Sequence, residues 1–248
     1  MWNNRRLVVV LPTYNEHLSI AECIRRFEAL GIVDEVVVVN NNAHPDTSPA
    51  VATTSAREVL EPVQGYGAAI RRGLAETRDA DLVCICEPDG TFDPEDILKL
   101  LPYTGDVDVV FGSRTVQEFI LSGANMGTFL KWGNWAVAKL TEVLFNTVYL
   151  SDVGCTFRVM TRSAVDQLEP VLTTNGSALG FEMMLHAVGR RMAIVQIPVN
   201  YRERVGESSV TGSRMKAAVL GMSMIRLCLS HRLATWTGRQ PVAQAVGE

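Results

Sequence analysis

Short, continuous, β-branched apolar runs alternate with stretches of helical periodicity through the first half of this chain, and each run ends in a polar cluster. A strand covered on both faces reads as such a run, whereas a half-exposed strand alternates apolar with polar residues. Residues 7–11 form the first run, ended by Pro12 and Asn15; Leu18, Ile20, Ala21, Ile24, Phe27 and Leu30 then recur at helical spacing until Gly31. Residues 36–39 give a second strand, 66–77 a helix, 82–86 a strand, 94–101 a helix and 107–111 a strand. This order predicts an α/β fold with a mostly parallel central sheet flanked by helices. The second half is less regular, with helices predicted near 125–149, 163–168 and 181–188, a further segment at 155–160 and a strand at 193–199. Without a repeat or a Gly/Ser linker to divide it, the chain reads as one domain over 1–212 and a basic amphipathic helical tail over 213–248.

A chain of 248 residues, 47% hydrophobic and 20% charged, can bury a sizeable core, which excludes disordered, collagen-like and coiled-coil classes. Its net charge of -4 supplies no global field to attract nucleic acid, so no nucleic-acid partner is expected and any anion site must be local. Residues 208–247 nevertheless hold Arg214, Lys216, Arg226, Arg232 and Arg239 with no acidic residue. Basic residues interleaved with Met215, Val219, Met222 and Leu229 suit an anionic membrane surface or a phosphorylated ligand, and equally a solvated basic helix or one packed on the core. The five cysteines form no CxxC pair and read as reduced core residues. The longest apolar stretch, 219–229, is interrupted by Ser223 and Arg226 and falls short of the ~20 residues a bilayer span needs. A cytoplasmic protein with peripheral contact at the membrane face is expected.

Ligands of open α/β sheets bind beyond the carboxyl ends of the strands, where the polar clusters of this chain lie. They are Pro12-Thr13-Tyr14-Asn15-Glu16, Asn40-Asn41-Asn42-Ala43 with Asp46, Glu87-Pro88-Asp89-Gly90 and Gly112-Ser113-Arg114. Each alone is compatible with turn chemistry; four at successive strand ends favour a site. Glu87 and Asp89 suit a hard divalent cation, Mg2+ or Mn2+, that bridges a diphosphate and neutralises a departing nucleotide. Arg114, Arg202 and Arg204 are candidate phosphate contacts, since guanidinium forks match phosphate oxygens. Gly65-Tyr66-Gly67 lacks the third glycine of a dinucleotide loop, Ile70 standing there, and reads instead as a tight loop whose helix approaches phosphate or ribose.

Taken in order, LPTYNE (11–16), the Asn-rich block through Asp46, GYGAAIRRGL (65–74), EPDGTFDPEDI (87–97), FGSR (111–114), SDVGCTFRVMTR (151–162), GFEM (180–183) and IPVNYRERVGESS (197–209) resemble glycosyltransferase family 2. The similarity is greatest to polyprenyl-phosphate sugar synthases of the dolichol-phosphate mannose synthase kind. The resemblance implies a glycosyltransferase A (GT-A) fold, with a nucleotide-sugar half over 1–115 and an acceptor half over 116–212. It further implies a nucleoside diphosphate sugar donor (GDP-mannose or a UDP-hexose), a divalent metal, inversion at the anomeric carbon and a polyprenyl phosphate acceptor. Carried over by position, Pro12, Tyr14, Glu16, Asn40, Asn41, Gly65, Glu87 and Asp89 would serve the nucleotide sugar, with Glu87 and Asp89 holding the metal. Asp89, Asp152, Arg114 and Arg204 would be catalytic, and Arg202, Arg204, Ser208 and Glu182 would meet the acceptor.

The chain departs from the pattern: asparagines replace the Asp-Asp pair after the second strand, Glu87 replaces the first metal Asp, the spacing between Arg204 and Gly206 is one residue shorter, and Ser209 replaces a lysine. Two other functions therefore stay open. One keeps the donor and transfers to a hydroxyl of a sugar, peptide or natural product, which requires a general base, Asp152 or Glu182. The other retains the pocket as a nucleotide-sugar-binding protein without turnover. Oligomeric state is not legible in the sequence.

Overall fold

The computed structural model describes residues 1–124, 128–206 and 214–237. Seven strands, β1 (Leu7–Thr13), β2 (Glu35–Asn40), β3 (Arg57–Leu60), β4 (Leu82–Ile85), β5 (Val109–Ser113), β6 (Arg158–Thr161) and β7 (Ile194–Pro198), form one sheet in the order β3-β2-β1-β4-β6-β5-β7. All neighbours are parallel except β6, which runs antiparallel to both β4 and β5. The continuous apolar runs follow from this layering, since both faces of the sheet are covered. In β1, Val8 and Val10 turn toward Ile70 and Leu74 of α3 (Tyr66–Ala75), while Leu7, Val9 and Leu11 turn toward Ile20, Ile24 and Phe27 of α1 (Ile20–Ala29).

Two elements were not expected. The edge strand β3 and the short helix α2 (Thr47–Val51) carry no apolar run; β3 reads REVL and is half exposed, so no periodicity marks it. The helix expected over 94–101 is a 3-10 turn at Pro94–Asp96 followed by the single α-turn α4 (Ile97–Leu100), which passes into a second 3-10 turn at Leu101–Gly105 with Pro102 near its start. The second half adds α5 (Thr128–Phe145), α6 (Arg162–Leu168) and α7 (Leu179–Gly189).

Over its described residues the C-terminal segment is α8 (Arg214–Thr237), whose Met224, Leu227, Cys228 and His231 recur along one face and are buried against α5 and α7. It is thus an element of the main core. Val219, Met222, Leu229, Leu233 and Trp236 are exposed, so α8 is apolar on more than one side and lacks a purely polar outer face. All five cysteines are free and buried. Among the described residues no helix is long and apolar enough to cross a membrane.

His186 on α7 and His231 on α8 are buried together, ring centroids 4.6 Å apart. Burial, then the mutual repulsion and Arg190, pushes His186 down to about 3; burial pushes His231 down to about 4. Histidines of depressed folded-state pKa stay neutral in the fold while the unfolded chain takes up their protons. Stability is therefore whole above about pH 6.5 and declines as pH falls toward 4. Two such groups give a slope of up to about 3 kcal/mol per pH unit. The urea midpoint should fall between pH 7 and pH 5, and His231→Leu should lessen that fall; an equal fall in the variant would assign it to carboxylates elsewhere.

Candidate active site

Strand order reverses between β1 and β4, and a crevice at such a switch point is where open α/β sheets bind ligands. The 12–16 and 87–90 clusters flank it. Glu16 folds the first loop back on itself, its Oε2 accepting from the backbone N–H of Tyr14 at 2.7 Å and of Asn15 at 3.0 Å and from the Thr13 hydroxyl at 3.2 Å. Asp89 is 2% exposed; its Oδ1 accepts from the Thr91 N–H at 2.9 Å and the Thr91 hydroxyl at 2.5 Å. Its Oδ2 lies 2.7 Å from Arg204 Nη2, which also stands 3.5 Å from Glu16 and 3.9 Å from Glu87.

Three carboxylates thus converge on one guanidinium, leaving the cluster net negative. Burial, then the neighbouring Asp89 charge, lifts the Glu87 carboxyl to about 7, and among the described residues its oxygens accept no hydrogen bond. An underneutralised pair of oxygen ligands at a strand end has the chemistry a hard divalent cation requires, and Glu87 and Asp89 could hold one.

A second ion pair stands at the end of β5. The Arg114 backbone N–H and Nε both donate to Asp152 Oδ2 at 2.9 Å, and Nη2 donates to Oδ1 at 3.0 Å. Gly154 N–H adds a bond to Oδ1 at 2.9 Å, and the carboxylate is wholly buried. Burial alone would raise the Asp152 carboxyl, but Arg114 and these N–H donors outweigh it and hold it below the usual carboxylate range. Asp152 is therefore a fixed anchor and a poor base. Arg114 also lies over the Tyr201 ring, 5.2 Å from its centroid.

The asparagines of the second strand end hold loops. Asn41 Nδ2 donates to the carbonyls of Glu61 at 2.8 Å and Val63 at 2.7 Å, while its Oδ1 accepts from Gly65 N–H at 2.8 Å. Asn40 Nδ2 donates to Glu58 at 2.8 Å, and its Oδ1 caps Ala43 N–H at 2.8 Å. An aspartate at either position would set a carboxylate against oxygen acceptors.

The structure gives several of the expected residues partners within the chain. In the first turn of α3 the N–H groups of Gly67 and Ala68 donate to the Asn175 carbonyl at 2.6 and 3.2 Å. Gly65, at φ +136°, and Gly67 are required because a Cβ at either would strike the backbone of 174–175. Glu182, expected at the acceptor, is 3% exposed and supports that same segment, accepting from Thr173 N–H and hydroxyl and from Thr174 N–H. Arg202 turns to Asp93, which Arg26 also engages, and not to the Asp89 cluster. Pro12 is buried within β1, Tyr14 is half-exposed at the loop, and Ser208 lies outside the described residues. Gln196 was missed: its Oε1 accepts from Ser151 N–H at 2.6 Å and Asp152 N–H at 3.2 Å, fixing the segment that carries the anchor. A lone glutamine in an apolar strand carries no signal in sequence.

A mostly parallel seven-stranded sheet with an acidic cluster at its switch point is the GT-A fold. Residues 8–168 match the family described as Glycosyl transferase family 2, and the chain belongs to that family. It is 31% identical to the dolichyl-phosphate hexose transferase of Haloferax volcanii over 92% of this chain and 96% of that protein. It is 26% identical to the undecaprenyl-phosphate mannosyltransferase of Micrococcus luteus over 94% and 97%. A third relative, the low-salt glycan biosynthesis hexosyltransferase Agl6 of Haloferax volcanii, is 31% identical over 82% of this chain, which spans only 49% of that protein. Glucosyl-3-phosphoglycerate synthase from Mycobacterium tuberculosis, crystallised with Mn2+, UDP and phosphoglyceric acid, shares the fold at TM-score 0.70 and 22% identity, covering 94% of this chain and 78% of that one.

Proposed function

We propose that this glycosyltransferase moves a hexose, with inversion, from a nucleoside diphosphate sugar to a polyprenyl phosphate. The observation that carries the choice of acceptor is the state of Asp152. Every hydroxyl acceptor needs a base, and of the two acceptor-half carboxylates suited to that role, Asp152 is buried and held ionised by Arg114 while Glu182 braces a loop. A phosphate monoester needs none, its second pKa lying near 6. Two relatives that align over most of their length, and whose names specify dolichyl and undecaprenyl phosphate, support the same choice.

In this reading a phosphate oxygen of the acceptor attacks the anomeric carbon. The bond to the diphosphate breaks with its electron pair on the leaving nucleotide, and no proton need move. Arg114, oriented by Asp152, holds the acceptor phosphate, and Arg204 moves from Asp89 to the leaving diphosphate. A divalent cation held by Glu87 and Asp89 would supply Lewis-acid neutralisation of that diphosphate; the Mn2+ of the M. tuberculosis neighbour supports this. The exposed apolar residues of α8 support peripheral contact with a membrane.

The test is transfer of radiolabel from GDP-mannose, UDP-glucose and related donors to a panel of polyprenyl phosphates and free sugars. Label in the lipid fraction is expected, with an inverted anomeric linkage. Transfer to a sugar hydroxyl and none to lipid would overturn the acceptor assignment.

A further inference from the structure

The segments that follow β1 and β2 each carry a histidine, and the fold lays the two rings together. His17 and His44 stack with centroids 4.0 Å apart and planes 17° apart. Backbone hydrogen bonds hold the two segments at this distance: Asn41 N–H donates to the Thr13 carbonyl at 3.0 Å and His44 N–H to the Tyr14 carbonyl at 2.7 Å. Asp46 brings a carboxylate to the pair, its Oδ2 lying 3.6 Å from His44 Nδ1. One ligand atom from each of the three side chains lies within 4.8 Å of the other two. His44 Nδ1 accepts from the Asp46 N–H at 3.3 Å, so that nitrogen presents a lone pair. His17 Nδ1 is buried and, among the described residues, has no hydrogen-bond partner, which leaves a polar atom unmet.

Two imidazole nitrogens and one carboxylate oxygen are the donor set of zinc sites with three protein ligands, where water takes the fourth position. Tetrahedral Zn2+ with ligands at ~2.0–2.2 Å sets them roughly 3.4 Å apart. The small closure this asks is within reach of side chains as exposed as His44 (43%) and Asp46 (74%). The donors differ in kind from those of the acidic cluster: oxygen alone suits Mg2+ or Mn2+, whereas imidazole suits Zn2+ and its borderline neighbours. We infer that His17, His44 and Asp46 form a second metal site, for Zn2+, that clamps the segment after β1 to the segment after β2. The clamped stretches, 12–17 and 41–46, include Tyr14, Glu16 and Asn41, so the ion would stiffen one wall of the crevice. The inference depends on neither the donor nor the acceptor proposed above.

The test titrates Zn2+, and Co2+ as its spectroscopic substitute, into the untagged full chain without substrate. Bound Co2+ should develop visible d–d absorption without a thiolate charge-transfer band, the cysteines being buried, and Zn2+ should displace it. His44→Ala should weaken Zn2+ binding by roughly tenfold or more, since even a partner that merely orients a metal ligand is worth about that much. His17→Ala and Asp46→Asn should weaken it too, and Asp89→Asn should leave it unchanged. Should His17→Ala melt early, His44→Ala, at the exposed position, carries the test. Zn2+ should also slow amide exchange over 12–17 and 41–46 in the wild type and not in His44→Ala. Equal Zn2+ affinity in the wild type and His44→Ala, or binding lost only in Asp89→Asn, assigns the ion to another site and overturns the inference. Failure to saturate with millimolar Zn2+ overturns it as well, and binding that leaves exchange in both segments unchanged overturns the clamp.

Discussion

Asp89→Asn is expected to lower transfer by roughly a thousandfold and to abolish the metal-dependent rise in melting temperature with nucleoside diphosphate. The substitution keeps an oxygen for the Thr91 N–H and hydroxyl, so the turn is retained, while the charge goes and an amide NH2 replaces the oxygen that meets Arg204. That charge is the one Arg204 approaches most closely, at 2.7 Å, and it is shared with the proposed cation. With it gone, Glu87 would titrate lower, since repulsion from Asp89 is one of the causes of its elevation, second to burial. The measurement is a thermal-shift series with GDP and UDP, each with and without Mn2+, beside the initial rate of transfer. A variant that keeps a tenth of the rate and the full metal-dependent shift would remove Asp89 from the metal site.

Arg114→Ala is expected to destabilise the fold by about 3–5 kcal/mol, because it leaves the wholly buried Asp152 carboxylate without its cation. In a chain of this size that corresponds to a fall in Tm of about 10 °C. Asp152→Ala should cost a comparable amount, and the double variant should cost less than the two together, since no buried charge is then stranded. Transfer should fall in all three. The pH-rate profile of Asp152→Asn should keep its wild-type shape in whatever activity survives, because the carboxylate is an anchor and not a base. Loss of an acidic limb in that profile would restore Asp152 as the base and with it the hydroxyl acceptor. Urea unfolding and the rate from pH 5 to 9 supply both measurements.

Much of the scaffold is legible in sequence because its cause is local. A run such as LVVVL is uninterruptedly apolar only where a strand is covered on both faces, and the polar residues after it must lie at the sheet edge where ligands bind. Glu16, Glu87, Asp89 and Arg114 were placed at strand ends in this way. β3 was not, because an edge strand of sequence REVL buries too little to carry a pattern.

The sequence by itself determined the layered parallel sheet, the strand-end positions of the polar clusters and, through eight motifs in order, the family. Tertiary structure alone decided which polar side chains face one another. It paired Arg204 with Glu16, Glu87 and Asp89, and Arg202 with Asp93, although a single residue separates the two arginines. It spent Asn41 and Glu182 on loops and drew α8 into the core. The physical reason is that apolar burial is written in the periodicity of neighbouring residues. The partner of a charge is set by whichever distant segment the fold brings within hydrogen-bond reach, and no local pattern records that distance.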